Sequence, residues 1–416
     1  MSGCRRRLGL HPTPVVWLYV LLLVVTLSVP ASADSAVHLV KDIYPGSDSS
    51  MPFGLTDVGG TLYFDADDGT HGNELWRTDG TRIGTYMVKD IWTGSNGSFP
   101  NFLTNIQGTL YFRGIDGEHG GELWKSDGTE SGTVMVKDIW PGSDPHFVFR
   151  LTDVGGTLFF VADDGTHGYE LWKSDGTEAG TVMVKDICPG SDWCPPGWLT
   201  DVEGTLYFAA NDGTHGYELW KSDGTESGTV MVKDIWPGSE SWVSLLADVE
   251  GALYFAADDG THGAELWKSD GTESGTVMVK DIVPGQDESD PRALTDGAGT
   301  LFFAADGTHG RELWKSDGTT AGTVMVKDIV PGQDSSRPQV LTDVGGILYF
   351  SANDWEHGRE LWKSDGTEDG TVLVADLYRG AKGSLPQSIA DLEGTVFFSA
   401  KSRRFGRELW SILASP

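Results

Sequence analysis

The hydrophobic positions of this chain fall into short runs separated by turns rich in glycine and aspartate. One stretch shows the pattern, with runs at Leu151–Val154, Thr157–Ala162, Tyr169–Lys173 and Val182–Ile187. Runs of β-branched and aromatic residues bounded by such turns predict successive antiparallel hairpins. No apolar period of 3.6 residues persists for ten residues, so this stretch predicts strands and no helix.

The same four-run unit recurs along almost the whole chain, and the tripeptide Glu-Leu-Trp marks each copy in its third run. The tripeptide ends at Trp76, Trp124, Trp172, Trp220, Trp267, Trp314, Trp362 and Trp410. A fixed period of about 47 residues is typical of stacked repeat units. Apolar residues occupy both faces of the runs, which predicts sheets covered on both sides. Four strands per unit of this length predict the blade of a β-propeller.

The copy number of each run predicts how the ring closes. The first and third runs occur eight times, but the fourth run follows a third run only seven times. Its eighth copy is Val37–Ile43, near the start of the chain, while the last unit stops at Ser411–Leu413. We therefore predict an all-β, eight-bladed β-propeller of four-stranded antiparallel blades, with strand 37–43 completing the last blade and covering its open edge. The predicted blades lie near 54–92, 102–140, 150–188, 198–236, 245–283, 293–330, 340–378 and 388–413.

Residues 1–33 resemble an export signal. Arg5–Arg7 precede an apolar run, Val15–Val29, and Ala31–Ala33 has the small residues of a cleavage site. A retained membrane anchor is the alternative, although the run is shorter than the roughly 20 residues that span a bilayer. Cleavage would leave 34–416 as a single propeller domain that is secreted, extracellular or periplasmic, or attached to the cell surface, with no membrane span.

The net charge of the chain restricts the kinds of partner that it can bind. The chain has 61 acidic and 30 basic residues, a formal net charge of −31 at pH 7. Such a charge repels nucleic acid and anionic lipid, and favours cations or basic partners. The alternative is that the acids fill turns and solvent-facing positions.

Two cysteines, Cys188 and Cys194, lie six residues apart in one loop. Nearby thiols in an exported chain predict a disulfide.

One histidine recurs in the loop after the second run, which reads Asp-Gly-Thr-His-Gly in most copies. These histidines are His71, His119, His167, His215, His262, His309 and His357. With a nearby acid in each loop, and with Trp193, Trp242 and Trp355 in neighbouring loops, they predict a ring of similar binding sites that would gain affinity by acting together. The alternative is that each histidine hydrogen-bonds within its own loop.

Metal binding is a weaker hypothesis. Asp65, Asp67 and Asp68 precede a glycine, as carboxylates do in calcium loops, but the complete calcium-loop motif is absent. The chain predicts no other cofactor and no catalytic residue.

The remaining repeated positions predict structural roles. The Asp-Gly turn after each Glu-Leu-Trp is interpreted as turn chemistry. The tryptophan is predicted to pack between blades, and the glutamate to pair with a lysine such as Lys137 or Lys185.

The unit Glu122–Thr129, with Glu-Leu-Trp followed two residues later by Asp-Gly-Thr, resembles the ELWxxDGT-type repeat of exported bacterial proteins. The resemblance covers essentially 37–413. It implies a repeat often found in surface proteins, with no agreed catalytic residues.

From these features we predict a secreted or cell-surface propeller that binds or scaffolds without catalysis, its ligand a glycan, a surface polymer or a protein. One alternative is a polysaccharide-acting enzyme, a hydrolase or lyase, whose site lies in the irregular loops Asp354–His357 and Arg403–Arg404. Another is a purely structural module of an envelope complex.

Overall fold

The computed structural model describes residues 37–142, 148–190 and 193–414, and the predicted signal at 1–33 lies outside them. The described residues form eight separate four-stranded antiparallel sheets arranged as blades of one propeller, so the predicted fold class is confirmed. All regular structure in these ranges is β. Within them, no helix is present that is long and apolar enough to cross a bilayer.

The first strand of each blade lies around the central axis, because the first strands of neighbouring blades contact one another. These inner strands are β2 (Phe53–Asp57), β6 (Asn101–Ile106), β10 (Phe149–Val154), β14 (Gly197–Val202), β18 (Ser244–Val249), β22 (Arg292–Gly297), β26 (Gln339–Val344) and β30 (Gln387–Leu392). The second strands are β3 (Leu62–Asp67), β7 (Thr109–Ile115), β11 (Thr157–Asp163), β15 (Thr205–Asn211), β19 (Ala252–Asp258), β23 (Thr300–Ala305), β27 (Ile347–Asn353) and β31 (Thr395–Ser402).

The third strands carry the Glu-Leu-Trp tripeptide. They are β4 (Asn73–Thr78), β8 (Gly121–Ser126), β12 (Tyr169–Ser174), β16 (Tyr217–Ser222), β20 (Ala264–Ser269), β24 (Glu312–Ser316), β28 (Arg359–Ser364) and β32 (Gly406–Leu413). The outer strands of the first seven blades are β5 (Tyr86–Lys89), β9 (Val134–Lys137), β13 (Val182–Lys185), β17 (Val230–Lys233), β21 (Val277–Lys280), β25 (Val324–Lys327) and β29 (Val372–Ala375).

The eighth blade closes as predicted. Its outer strand is β1 (His38–Lys41), which pairs antiparallel with β32 and gives the sheet order β1-β32-β31-β30. The closing segment is also held by Glu408, whose carboxylate accepts hydrogen bonds from the backbone N–H groups of Ile43 at 3.0 Å and Ser50 at 3.1 Å. The two ends of the propeller are therefore joined by one sheet and by a buried carboxylate.

The core lies between the blades, where each Glu-Leu-Trp tryptophan packs as predicted. Trp172 of the third blade joins one buried cluster with Leu123 and Val136 of the second blade. Lys137 reaches across the same junction, with its Nζ 5.8 Å from the centre of the Trp172 ring and a hydrogen bond of 2.8 Å to the carbonyl of Thr181. Such cation–π contacts contribute about 0.5–1 kcal/mol at exposed sites and more when desolvated.

The predicted pairing of the tripeptide glutamate with lysine is wrong. Glu74 is fully buried and accepts hydrogen bonds from the backbone of Ile91, Trp92 and Ser98 and from the Ser98 hydroxyl. Burial raises the pKa of Glu74 to about 7, with these hydrogen bonds acting in the opposite direction. The glutamate thus fastens the loop that leads to the next blade, because that loop has backbone donors which strand pairing does not use.

Two local predictions are confirmed. Cys188 and Cys194 form a disulfide, with their Cα atoms 6.5 Å apart. In the Asp-Gly turns the aspartate bonds nearby groups, as where Asp127 Oδ1 accepts from the Thr129 amide at 2.9 Å and from its hydroxyl at 2.7 Å.

Candidate functional site

Antiparallel strands alternate in direction, so the loops of the propeller separate onto two faces. We call the face with the second-to-third and outer-to-inner connections the loop face. Its centre, where the inner strands begin, is called the channel mouth. The predicted histidine loops and the loop with the disulfide both lie on the loop face.

Two backbone positions per blade shape the channel mouth, and both adopt positive φ in most blades. The first precedes the inner strand and is occupied by Met51, Phe99, Trp242, Asp290, Arg337 and Leu385, with φ from 43° to 54°. The second is the second residue of the inner strand, occupied by Gly54, Phe102, Arg150, Trp198, Leu245, Ala293, Val340 and Ser388, with φ from 48° to 70°. Non-glycine residues rarely adopt this conformation, and bulky or β-branched ones least of all.

A β-bulge explains the second position. The pairing register shifts between Gly197 and Thr200, so Trp198 lies on an extra residue of the inner strand. The Thr200 hydroxyl is 3.1 Å from the Trp198 carbonyl and 3.3 Å from the Leu246 carbonyl of the next blade, and so fastens the bulge to its neighbour. Bulges of this kind re-aim a side chain, and they are common beside functional sites.

The side chains at and beside these positions, with the residue before Glu-Leu-Trp in two blades, divide the channel mouth into two sectors. The apolar sector, in blades one to five, consists of exposed Met51, Phe53, Phe99, Phe102, Trp198 and Trp242. The arginine sector, in blades six and seven, consists of Arg292, Arg311, Arg337 and Arg359. The repeat is therefore symmetric in its core and asymmetric at its mouth.

A cavity of about 490 Å³ opens where the two sectors meet. Trp198, Tyr217 and Trp242 line its apolar side, and Asp290 and Arg292 line its polar side. Large cavities lined by aromatic groups with a few convergent polar groups are the usual form of ligand sites.

Arg150 supports the apolar side of this cavity. Its guanidinium carbon lies 5.3 Å from the centre of the Trp198 ring and 5.8 Å from that of Phe149. Burial lowers its pKa. The ring of Phe149 in turn lies 5.2 Å from that of Tyr169. Such cation–π and tilted ring contacts hold aromatic side chains in fixed orientations, which preforms the surface.

The predicted histidines lie on the loop face, in the loops between the second and third strands, and so farther from the central axis than the channel mouth. The structure does not bring them together at the cavity. Six of them contact the aspartate three residues earlier, with Nδ1 to carboxylate distances of 2.7 to 2.9 Å. These are His71, His119, His167, His215, His262 and His357. This geometry is the one expected from bonding within the loop, and ligand binding by these residues stays a prediction.

His309 differs because its loop is one residue shorter and has one acid where Asp258 and Asp259 stand in the preceding blade. Its Nδ1 lies 3.0 Å from the Thr308 hydroxyl. The remaining acid, Asp306, instead pairs with Arg311.

The histidine–aspartate contact has a measurable consequence at His215. The Asp212 carboxylate 2.8 Å away raises the pKa of His215 above its ordinary value. The protonated imidazole is the form that Asp212 favours, so the charged pair exists at low pH and is lost as pH rises through the raised pKa. We expect an NMR titration to place the His215 midpoint above about 6.5, and Asp212→Asn to lower it toward that value. An unchanged midpoint in Asp212→Asn would show that the contact does not form in solution.

The predicted tryptophans have different surroundings. Trp242 is 63% exposed and lines the large cavity. Trp193 is 73% exposed and packs edge-on against Tyr169, with ring centres 4.7 Å apart. Trp355 is 59% exposed in the second-to-third loop of blade seven, away from the cavity.

The three carboxylates proposed for calcium bond to separate groups. Asp65 accepts from the Asn73 amide at 2.9 Å, Asp67 from the Gly69 N–H, and Asp68 from the loop of His71. Burial raises the pKa of Asp65 to about 7. Across the described ranges, no three His, Cys, Asp or Glu side chains are grouped as a metal site. Calcium binding stays a prediction.

Sequence reasoning missed Tyr217, Asp290, Arg292 and Arg337 as site residues. An alignment of the repeats offers the signal that could have found them. The residues around the start of each inner strand and the residue before each Glu-Leu-Trp differ from blade to blade, whereas the rest of the repeat is nearly identical.

The sequence matches no protein-family model, and no curated protein matches it significantly. Solved structures match its fold. Prolyl oligopeptidase B from Galerina marginata, bound to a 35mer hydrolysis and macrocyclization substrate, matches with a TM-score of 0.52 and 10% identity over 87% of this chain and 56% of that one. A prolyl endopeptidase, from work on inter-domain dynamics in catalysis and specificity, matches with a TM-score of 0.51 and 11% identity over 86% of this chain and 55% of that one. Oligopeptidase B from Leishmania major matches with a TM-score of 0.50 and 11% identity over 87% of this chain and 55% of that one.

The chain thus spans little more than half the length of these peptidases, and the part of each that matches is its propeller. At 10–11% identity the likeness shows the fold alone.

These matches correct the predicted function. A non-catalytic binding or scaffold propeller was expected, with a polysaccharide-acting enzyme or an envelope module as alternatives, but the solved structures that share the fold are peptidases. The prediction was wrong because it took near-identical repeats to mean equivalent sites around the ring. The channel mouth has instead an asymmetric cavity, formed in part by residues that differ from blade to blade.

Proposed function

We propose that this chain is the substrate-handling propeller of a peptidase. In this proposal the channel mouth holds a peptide, and a separate catalytic unit, on a longer polypeptide or on a partner chain, cleaves it. The chain itself supplies no catalytic residue.

The two-sector channel mouth is the observation that carries the proposal. A peptide presents apolar side chains and a polar backbone along one extended strand, so it needs an apolar surface beside hydrogen-bonding groups. Trp198 and Trp242 offer the apolar surface, and Asp290 and Arg292 offer the hydrogen-bonding groups, within one cavity. Aromatic and arginine side chains are also the residues that most often dominate binding energy at interfaces.

The solved structures support the same proposal. Each is a peptidase whose length exceeds the matched propeller by almost half of its chain, and one holds a 35mer peptide substrate. An accompanying catalytic unit would account for that extra length.

An exported location is part of the proposal, and so is membership in the ELWxxDGT-type repeat family. The disulfide between Cys188 and Cys194 supports export, because disulfides persist mainly in oxidising compartments. The net charge of −31 argues against nucleic acid as a partner.

Peptide binding can be tested with an equimolar library of synthetic dodecapeptides. We expect a subset to co-elute with the protein in size-exclusion chromatography and to change its tryptophan fluorescence. Trp198→Ala should weaken the binding of these peptides about 30-fold, because truncating a central aromatic anchor costs about 2 kcal/mol or more.

Trp355→Ala is the matched control, since Trp355 is also an exposed loop-face tryptophan with positive φ, but lies outside the cavity. Its binding should equal that of the wild type. The proposal is wrong if no peptide binds, or if both variants weaken binding equally. A glycan array run in parallel would show whether the apolar sector binds sugars instead.

A further inference from the structure

We infer that a second cavity at the channel mouth is a carboxylate subsite, which receives the C-terminal end or an acidic side chain of the bound peptide. This inference rests on the proposed function and names the chemistry of the substrate. The cavity has a volume of about 240 Å³ and is lined by Leu245, Arg292, Arg311, Arg337 and Val340 among others.

Three guanidinium groups therefore line one small cavity, and the acids nearby do not neutralise all of them. Asp290 accepts from Arg292 at 2.8 Å and from Arg311 at 2.7 Å. Asp306 pairs with Arg311 as well. The guanidinium of Arg337 makes no hydrogen bond or ion pair with any described residue.

A fourth arginine adds to the positive charge behind the cavity. Arg359 donates from Nη1 to the carbonyl of Arg337 at 2.9 Å and to that of Ser351 at 3.0 Å, but contacts no carboxylate among the described residues. Burial and the nearby charge of Arg337 both lower its pKa. Four arginines thus lie beside the two aspartates that pair with them, Asp290 and Asp306, while Asp258 and Glu288 line the adjoining large cavity.

Like charges repel most strongly where water is partly excluded, as around the partly buried Arg311 and Arg359, and an anionic ligand would offset that repulsion. Arg337 is exposed, and its guanidinium is available to such a ligand. A guanidinium fork matches a planar carboxylate with two parallel hydrogen bonds.

The position of the cavity agrees with a peptide end. Arg292 lines both this cavity and the large one, so the two are adjacent. A peptide whose apolar residues lie on Trp198 and Trp242 can continue past Arg292 into the arginine-lined space. With about half the volume of the large cavity, that space suits one chain end or one side chain.

The backbone also holds Arg337 at this place. Arg337 has a φ of 49°, and the proline that follows it is buried. The equivalent residue in the preceding blade is Asp290, with a φ of 43°. The same positive-φ position thus holds an acid in one blade and an unpaired arginine in the next. The change of charge between the two blades is therefore due to the side chains, because the backbone conformation is the same.

The test uses three versions of a dodecapeptide that binds the wild-type protein and has no acidic side chain. The first has a free C-terminal carboxylate, the second a C-terminal amide, and the third an amide with glutamate as its last residue. We expect the free acid to bind at least tenfold more tightly than the amide, since hydrogen bonds to charged groups contribute about 1.5–3 kcal/mol. If the glutamate version binds like the free acid, the subsite accepts either source of carboxylate.

Arg337→Gln should remove this preference, so that the free acid and the amide bind the variant with equal affinity. Arg337 is exposed, so the substitution leaves the core intact. Arg404→Gln is the control, because it removes one positive charge from the loop face in blade eight, outside the cavity, and should keep the preference.

The outcomes separate the two proposals. If neither the free acid nor the glutamate version binds the wild type more tightly than the plain amide, or if Arg337→Gln keeps the preference, the carboxylate subsite is wrong while peptide binding stands. An equal loss in Arg404→Gln would attribute the preference to the general charge of the face and would also overturn the subsite. If none of the peptides binds, both proposals fail together.

Discussion

A chain that begins at residue 45 will not form a stable propeller, whereas one that begins at residue 34 will. The shorter chain lacks β1, so β32 becomes an open sheet edge and the buried side chains of Val40 and Ile43 are missing. The truncation also removes the Ile43 N–H group, which donates a hydrogen bond to the buried Glu408 carboxylate. Burying each aliphatic side chain contributes about 1.5–3 kcal/mol, and an unsatisfied buried polar group costs about 1–3 kcal/mol.

These losses sum to several kcal/mol, which is comparable with the whole stability of a typical domain, about 5–15 kcal/mol. We expect circular dichroism to show a lower and broader melting transition for the shorter chain. Light scattering should show aggregation, because an unpaired edge strand recruits other chains. A shorter chain that melts like the longer one would mean that the ring does not depend on β1 for closure.

The second large effect is expected from Glu74→Gln, measured at pH 8, above the raised pKa of about 7, where the carboxylate is ionised. Each carboxylate oxygen of Glu74 accepts two hydrogen bonds, one oxygen from the Trp92 and Ser98 amides and the other from the Ile91 amide and the Ser98 hydroxyl. A glutamine would turn an NH₂ group toward one of these pairs of donors. The free energy of unfolding should fall by about 3 kcal/mol, as expected when buried donors lose their acceptor.

Glu218→Gln is the matched control, because the same position in blade four uses only one oxygen fully. Glu218 Oε2 accepts from the Ile235 amide at 2.8 Å, while the buried Oε1 has no partner. The Ser241 hydroxyl there donates to the Tyr217 carbonyl at 2.9 Å, although burial raises the pKa of Glu218 and Ser241 still helps to lower it. A glutamine can place its NH₂ at the Oε1 position, so the loss should stay below about 1 kcal/mol. Equal losses in denaturant unfolding followed by tryptophan fluorescence would refute the proposed role of the hydrogen bonds.

The blade could be predicted from the sequence because strand pairing within it is local. Runs such as Thr157–Asp163 and Tyr169–Ser174 are joined by short turns, and their order along the chain is also their order in the sheet. Ring closure could be predicted as well, although it joins β1 to β32, because counting runs showed one strand surplus at the start and one missing at the end. The glutamate of the tripeptide was misjudged because its partners are backbone N–H groups, which have no signature in the sequence.

The candidate site was predicted only in part. Trp242 was identified, and it lines the large cavity. The histidines were placed on the correct face, but their partners are acids three residues away, such as Asp212 beside His215. Tyr217 and Arg337 were missed, because they come from different blades and line adjoining cavities only through closure of the ring.

The sequence by itself determined the architecture of this protein, since a repeat of this length with four strands per unit leaves few ways to bury its apolar faces. The tertiary structure alone decided where the asymmetry lies. Bulges with positive φ at the start of each inner strand direct the few unlike side chains toward a common axis, and residues such as Trp198 and Arg337, far apart in the chain, come to line adjoining cavities there. Local sequence patterns specify hydrogen bonding within a blade, but convergence at an axis depends on the positions of all eight blades together.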